Sequence, residues 1–479
     1  MRGCAASRYR HSFPSHCRLC RPDSVSTDLA ISEPRPQTQP TESSTITTDP
    51  KLGRELTRLA IYNIAANLTV PLAGLVDVAM LGHLDEIRFL AGVALGGLIF
   101  DYVYWLCGFL RMSTTGLTAQ AAGGRDPERG FRVLGRATLL AVTIGVVLLV
   151  LQRPLAMAGF GLLGGSPEVE AAGRDYFDAR IWGAPATLVG LVLLGWFLGR
   201  AEPRIALWMT AVGGLSNIAL NWLFIIELGW AARGAGLATM LSQYLLVAVG
   251  LVAYWQRRKP TAWRLSELLD RQALGALLAL NRDILIRTLC LVTSFAVFLN
   301  VSAVLGTVML AANSILFRLF TTSAYLIDGI AHAAEILAGT ARGRGEPGEL
   351  ARVLRLTLIA GAVFAGVIVG LLALFPAQIL GLLTNHGDVI DVARAHLPFL
   401  FATIVVGAFA FVYDGFFIGL TEGRAIRNSM LLATLGLFAP LAALAWWQKS
   451  TVLIWVAMIA FMAGRALFLW WPSRRLVAT

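Results

Sequence analysis

Charge is what this chain has least of. Of its 479 residues only 14% are Asp, Glu, Lys or Arg, whereas 57% are hydrophobic; soluble domains carry about 25% charged residues. From residue 56 to 472 no polar stretch leaves room for a sizeable soluble domain. Cysteine is also scarce, with five in the chain. Three of them, Cys4, Cys17 and Cys20, fall in the polar N-terminal stretch beside His11 and His16. A second ligand pair at zinc-finger spacing is missing there. The histidines His83, His332, His386 and His396 show no helical metal pairing, and no Ser-His-Asp arrangement stands out. Asp328-Gly329 and Asp414-Gly415 lack the following Ala-Arg and further aspartates of a phosphatidyltransferase signature. An enzyme is therefore not expected, and neither is a resident metal.

What the chain does have is long apolar runs, recurring at spacings that suit spanning helices of about 20 residues. Twelve spans are expected, near 56–82, 89–122, 132–152, 172–199, 204–226, 235–255, 279–304, 309–340, 352–375, 390–420, 428–447 and 451–471. The fold class is all-α integral membrane, because a helix satisfies its own backbone in lipid and these runs are too long for barrel strands. The net charge of +11 would suggest nucleic acid in a soluble protein. Here Arg and Lys sit between apolar runs, 22 on one side of the spans and 6 on the other. That bias expects both termini in the cytoplasm and no nucleic-acid partner.

Residues 1–50 are rich in Ser, Thr, Pro and Arg and read as a disordered tail or a mis-called start, with an organelle transit peptide as a lesser alternative. The remainder divides into a six-helix lobe over 51–255, a charged amphipathic linker over 256–275 and a second six-helix lobe over 276–479. An internal repeat supports the division. GWFLGRAEPR at 195–204 matches GFFIGLTEGR at 415–424, and Arg132-Val133-Leu134 matches Arg352-Val353-Leu354, all at one offset of 220. Six spans per repeat insert both halves the same way, so a pseudo-two-fold axis along the membrane normal should relate them, with a substrate path between.

The repeat isolates polar residues that belong to one half. Asp77 corresponds to Val297, Asn217 to Leu437, Asn221 to Leu441 and Thr239 to Ile459. A charge at mid-bilayer costs about 2.5–3.5 kcal/mol on insertion scales, so it marks function or a paired interior group. The set reads as a cation or proton site in the first half; hydrogen-bonded helix–helix contact is the plainer alternative. Pro71 removes one helical hydrogen bond six residues before Asp77 and is a candidate hinge. Asp101, Arg111, Arg318, Asp328, Glu335 and Asp414 read either as pairs that neutralise each other or as lining of a substrate cavity.

Several stretches together resemble the multidrug and toxic compound extrusion (MATE) transporters, and within them the DinF-like subgroup. They are VPLAGLVDVAMLGHL at 70–84, FLRMSTTGLTAQAAG at 109–123, LALNRDILIR at 278–287, AYLIDG at 324–329, DGFFIG at 414–419 and RNSM at 427–430. The resemblance implies two lobes in a V, alternating access, and efflux of amphipathic, often cationic drug-like molecules against entering H⁺ or Na⁺. It implies a multi-pass inner (plasma) membrane protein in contact with the lipid bilayer, a monomer, with no cofactor beyond the coupling ion. Its first-lobe cation site falls on Asp77, Asn217, Asn221 and Thr239. Some relatives have an aspartate where this chain has Asn221, and a proline where it has Tyr62. One acid instead of two favours a protonation switch at Asp77 over a tightly held Na⁺. A lipid or lipid-linked saccharide flippase of the same architecture would need cavity cations for pyrophosphate; Arg111 and Arg318 are the candidates, and acids outnumber them.

Overall fold

Punctuation by Pro, Gly and short polar caps sets where the apolar runs begin and end. The computed structural model describes residues 50–82, 84, 86–257, 265–345 and 347–478. The expectations for residues 1–49 and for His83 fall outside them. The chain runs α1 (Pro50–Gly82), α2 (Ile87–Leu106), α3 (Phe109–Gly123), α4 (Pro127–Val150), α5 (Gln152–Leu163), α6 (Pro167–Arg180), α7 (Ala184–Gly199), α8 (Pro203–Asn221) and α9 (Ala231–Arg257). A four-residue α10 (Leu265–Leu268) follows in the linker. The second half is α11 (Arg271–Val304), α12 (Thr307–Arg344), α13 (Pro347–Leu374), α14 (Pro376–Leu383), α15 (Gly387–Gly419), α16 (Gly423–Leu431), α17 (Ala439–Gln448) and α18 (Thr451–Ala478).

Among the described residues eleven helical stretches are long and apolar enough to cross a membrane. The 33-residue α1 is a further long helix, about 50 Å at 1.5 Å per residue. The all-helical, two-lobed expectation holds. Asp126, with Pro127 behind it, accepts the Arg129 N–H at 2.8 Å to start α4. Asp270 accepts from Gln272 and Ala273 to start α11. Both are side-chain caps for otherwise unbonded first-turn donors.

The helices are less regular than the apolar runs suggest. The second span breaks at Cys107-Gly108 into α2 and α3. The fourth passes through a 3₁₀ turn at Ile181–Gly183 before Pro185. The fifth ends in a π-helical segment, Trp222–Glu227, and the eleventh contains another, Leu432–Phe438, just ahead of Pro440. Proline cannot continue the hydrogen-bond ladder, so the widened turn before it absorbs the lost bond. α5 and α14 are short helices between spans that apolar runs alone do not announce.

Large apolar side chains stay exposed at three- and four-residue spacing along α4 (Leu139, Val142, Val146, Val150) and α13 (Ile359, Val363, Val367, Leu371, Leu374). These stripes form the outer face that lipid covers. Inside, Phe298, Phe320, Trp455 and Phe461 pack the second lobe, and Leu110, Leu188, Trp196 and Phe197 the first. A third cluster joins the halves, with Leu56 and Leu59 of α1 against Ile330, Ala334 and Leu337 of α12.

Candidate functional site

The two halves meet along a seam at the end of the bundle that carries the Arg125–Arg136 turn. A Cβ on Gly123 of α3 would collide with the Thr340 carbonyl of α12, and one on Gly343 with the Gln120 carbonyl, so only glycine lets these helices approach so closely. Gln120 donates across the seam to the Gly419 carbonyl at 3.0 Å and to the Thr421 hydroxyl at 3.1 Å. Deeper in, Asn67 of α1 donates to the Tyr325 carbonyl at 3.2 Å. Arg111 of α3 lies 2.9 Å from His332 Nε2 and 3.7 Å from the Glu335 carboxylate, both on α12. The structure is therefore closed at its arginine-rich end, and its cross-lobe contacts include one buried ionic set.

In the first lobe, three of the four residues singled out by the repeat are brought together. The Asn221 amide donates to Asn217 Oδ1 at 3.3 Å, and the Asn217 amide donates to the Thr239 hydroxyl at 3.3 Å. Thr239 in turn donates to the Ala235 carbonyl at 2.9 Å. Asn217 and Asn221 are buried. They share one face of α8 because they are four residues apart, and α9 brings Thr239 against that face. The π segment begins directly after Asn221. π-bulges are frequent at functional sites. The backbone at 71 and 77 is part of the unbroken α1, which packs along α8 and against the π segment. The side chains of Pro71 and Asp77 lie outside the described residues.

The remaining polar residues sort differently. Asp414 of α15 is buried, and its Oδ2 accepts from Arg287 of α11 at 2.6 and 3.2 Å and from Arg465 of α18 at 2.5 Å. Arg465 is fully buried between the Phe411 and Phe461 rings. Glu335 is buried beside Arg111. Asp328 is half-buried and feels Arg287, Arg111 and Arg465 at longer range, with no ion pair among the described residues. Asp101 is exposed and faces Arg180, which donates to the Tyr176 hydroxyl at 2.5 Å and lies over the Phe100 ring at 4.6 Å.

Two expectations need correction. Arg318 is exposed and makes no ion pair among the described residues, so it does not neutralise an acid. At 100° per residue it projects about 80–100° around α12 from the face of Asp328 and Glu335. Acids also do not outnumber cations at the second-lobe site: Arg111, Arg287 and Arg465 balance Asp328, Glu335 and Asp414. Arg180, Arg287 and Arg465 went unnoticed in the sequence. A repeat comparison of cations would have found them, since they correspond to Leu400, Asn67 and Leu245.

The MatE family model matches residues 63–223 and 284–447, one stretch in each half. The chain belongs to the MATE family. DNA damage-inducible protein F of Escherichia coli (strain K12) is 36% identical over 425 residues, covering 87% of this chain and 91% of that protein. The probable multidrug resistance protein NorM of Rhizobium meliloti (strain 1021) is 26% identical, covering 89% and 92%. A solved multidrug resistance MATE transporter of the MOP superfamily, in an outward-facing conformation, superposes with a TM-score of 0.80 at 20% identity, covering 91% of this chain and 99% of that one. That likeness carries the fold, with twelve helices in two lobes. MATE proteins are multi-pass membrane transporters and not enzymes, and this chain is one of them.

Proposed function

We propose that this MATE protein exports amphipathic, cationic small molecules across the inner membrane in exchange for entering H⁺. It would do so as a monomer, by alternating access, with both termini in the cytoplasm. The observation that carries the reading is the hydrogen-bond chain Asn221–Asn217–Thr239, buried against the helix that bears Asp77. The three members of this chain are amides and a hydroxyl, with no acid among them, beside the helix that carries Asp77. A Na⁺ site wants several hard oxygens and more negative charge, so the composition favours a proton.

On this reading the arginine-rich seam is the cytoplasmic gate, closed here, and the cavity opens to the opposite face. A proton entering from that face neutralises Asp77 and removes a charge that is costly to bury. The lobe then favours its other packing. Exchange of one H⁺ for one monovalent cation moves no net charge, so the pH difference drives it, at about 1.4 kcal/mol or tenfold per pH unit.

The test is export of a fluorescent cationic dye from proteoliposomes, wild type beside Asp77→Asn, with pH and Na⁺ gradients imposed separately. Export driven by H⁺ alone, and lost in a variant that still binds dye, is the expected result. Export that follows Na⁺, or an Asp77→Asn protein that transports normally, would overturn the assignment.

A further inference from the structure

A cavity of about 150 Å³ sits at the arginine-rich end of the first lobe. It is lined by Thr118 from α3, Arg125, Asp126 and Gly130 from the α3–α4 turn and the start of α4, and Arg200 from the end of α7. That volume is far above the ~10–15 Å³ that one water requires. Thr118 is 1% exposed, and its hydroxyl has no hydrogen-bond partner among the described residues. A buried hydroxyl left without a partner is rare and calls for an explanation. Arg125 is exposed and makes no ion pair among the described residues. The Arg200 guanidinium is braced over the Trp196 ring at 4.8 Å, with its Nε given to Glu202 at 3.1 Å. The acids nearby are already engaged. Asp126 accepts the Arg129 N–H, and Glu202 also takes Arg257 at 2.6 Å.

The second half of the chain supplies an internal control. At the offset of 220, Thr118 becomes Ala338, Arg125 becomes Gly345, Arg200 becomes Leu420 and Gly130 becomes Leu350. Every donor is lost, and a buried leucine stands where Gly130 leaves room. Arg125 also holds φ at +55°, in the left-handed region that Gly345 occupies at +75°. An arginine at a position that its repeat fills with glycine carries a conformational cost, which a ligand contact would explain.

We infer that this pocket binds a phosphate-class oxyanion, held by the Arg125 and Arg200 guanidinium groups and the Thr118 hydroxyl. Arginine pairs with phosphate oxygens through charge-assisted, often bidentate bonds. Its place at the arginine-rich rim is where the headgroup of an anionic phospholipid would reach, as basic pockets between membrane helices commonly serve. The inference does not depend on the proposed transport reaction, and its test reads binding alone.

Purified protein is placed in nanodiscs of phosphatidylcholine, of phosphatidylcholine with phosphatidylglycerol, and of phosphatidylcholine with added inorganic phosphate. Apparent Tm is measured as a function of phosphatidylglycerol fraction and of phosphate concentration. Stabilisation by phosphatidylglycerol alone identifies a lipid headgroup, and stabilisation by inorganic phosphate identifies a free anion; either supports the site. Arg125→Gly should weaken binding roughly tenfold, as expected for one lost charge-assisted contact. It should also leave the ligand-free protein as stable as wild type or more so, because the left-handed strain is gone. Gly130→Leu should abolish binding, and there is space for its first carbon, since the nearest atom to a Cβ there is 3.9 Å away. Thr118→Ala provides a gentler second variant. Arg355→Gln removes the same charge from the second lobe and should change nothing. No stabilisation by either anion, undiminished binding in Gly130→Leu, or equal losses in Arg355→Gln and Arg125→Gly would each overturn the inference.

Discussion

Substituting Asp414→Asn should cost far more stability than a typical buried polar change. The carboxylate is 3% exposed, Arg287 7% and Arg465 0%, and both guanidinium groups converge on the same oxygen. Removing the carboxylate's charge leaves two buried guanidinium groups with only Asp328 left to balance them. Breaking a buried pair in this way costs about 3–5 kcal/mol, against a total stability of roughly 5–15 kcal/mol for a folded domain. The first lobe shows how the loss can be repaired, because it carries Leu194, Asn67 and Leu245 at the positions of Asp414, Arg287 and Arg465. The triple variant Asp414→Leu, Arg287→Asn, Arg465→Leu should recover most of the lost stability, because well-packed apolar groups replace buried ion pairs at little or no cost. Equilibrium unfolding in mixed micelles by sodium dodecyl sulfate titration measures both. A change below about 1 kcal/mol for Asp414→Asn, the level of an ordinary neutral hydrogen bond, would refute the reasoning. So would a triple variant no more stable than the single one.

Two further outcomes follow from the geometry. Arg111→Met removes the contact to His332 and strands the Glu335 carboxylate at the seam. A loss of even about 1.4 kcal/mol in the closed arrangement shifts its population tenfold. Spin labels at positions 129 and 355 should then show a longer distance in a larger share of molecules, and an unchanged distribution would mean the set is not a latch. Asp270 lies outside the spans, and the backbone N–H groups of Ala273 and then Gln272 hold its carboxyl below the usual 3.8. Its capping contribution is therefore complete above pH 3.8 and is lost as pH falls through the lower folded value. Hydrogen exchange at residues 272–275 should quicken in Asp270→Ala at neutral pH and in wild type only in strong acid; equal rates in the two proteins at neutral pH would count against the cap.

Most of the fold was legible because lipid imposes a single requirement, that a spanning segment be apolar over about 20 residues and satisfy its own backbone. The expected span at 204–226 matches α8 with its π segment, Pro203–Glu227. Interruptions within spans were not legible. A π turn at Leu432–Phe438 and a break at Cys107-Gly108 leave the apolar pattern intact, since both bury the same side chains with altered backbone bonding. The Asn217–Asn221–Thr239 chain was found because its members vanish together at the other repeat. The Arg287–Asp414–Arg465 set was only one-third found, since a lone arginine in an apolar run does not announce the acid it meets on another helix.

The repeat also shows how the halves divided their work. Each keeps a polar set that the other does not repeat: neutral amides and a hydroxyl on α8 and α9 in the first, where the second has Leu437, Leu441 and Ile459, and ions on α11, α15 and α18 in the second, where the first has Asn67, Leu194 and Leu245. An internally neutralised set such as Asp414 with its two arginines resists exchange with a passing cation, because binding would first have to break the charge-assisted bonds that already hold the carboxylate. Glu335 is paired more loosely, with Arg111 3.7 Å away across the seam. Of Asp328, Glu335 and Asp414, that leaves Asp328 as the one without an ion pair among the described residues, and it is half-buried. In the first half Asp101 is the exposed acid of α2, and Tyr325 feels both. On the function proposed above, a cationic substrate entering between the lobes would meet Asp101 and Asp328 before Glu335 or Asp414, which leaves Asp77 to take the proton. Separate sites of this kind permit exchange through competing conformations without both ions ever sharing one carboxylate.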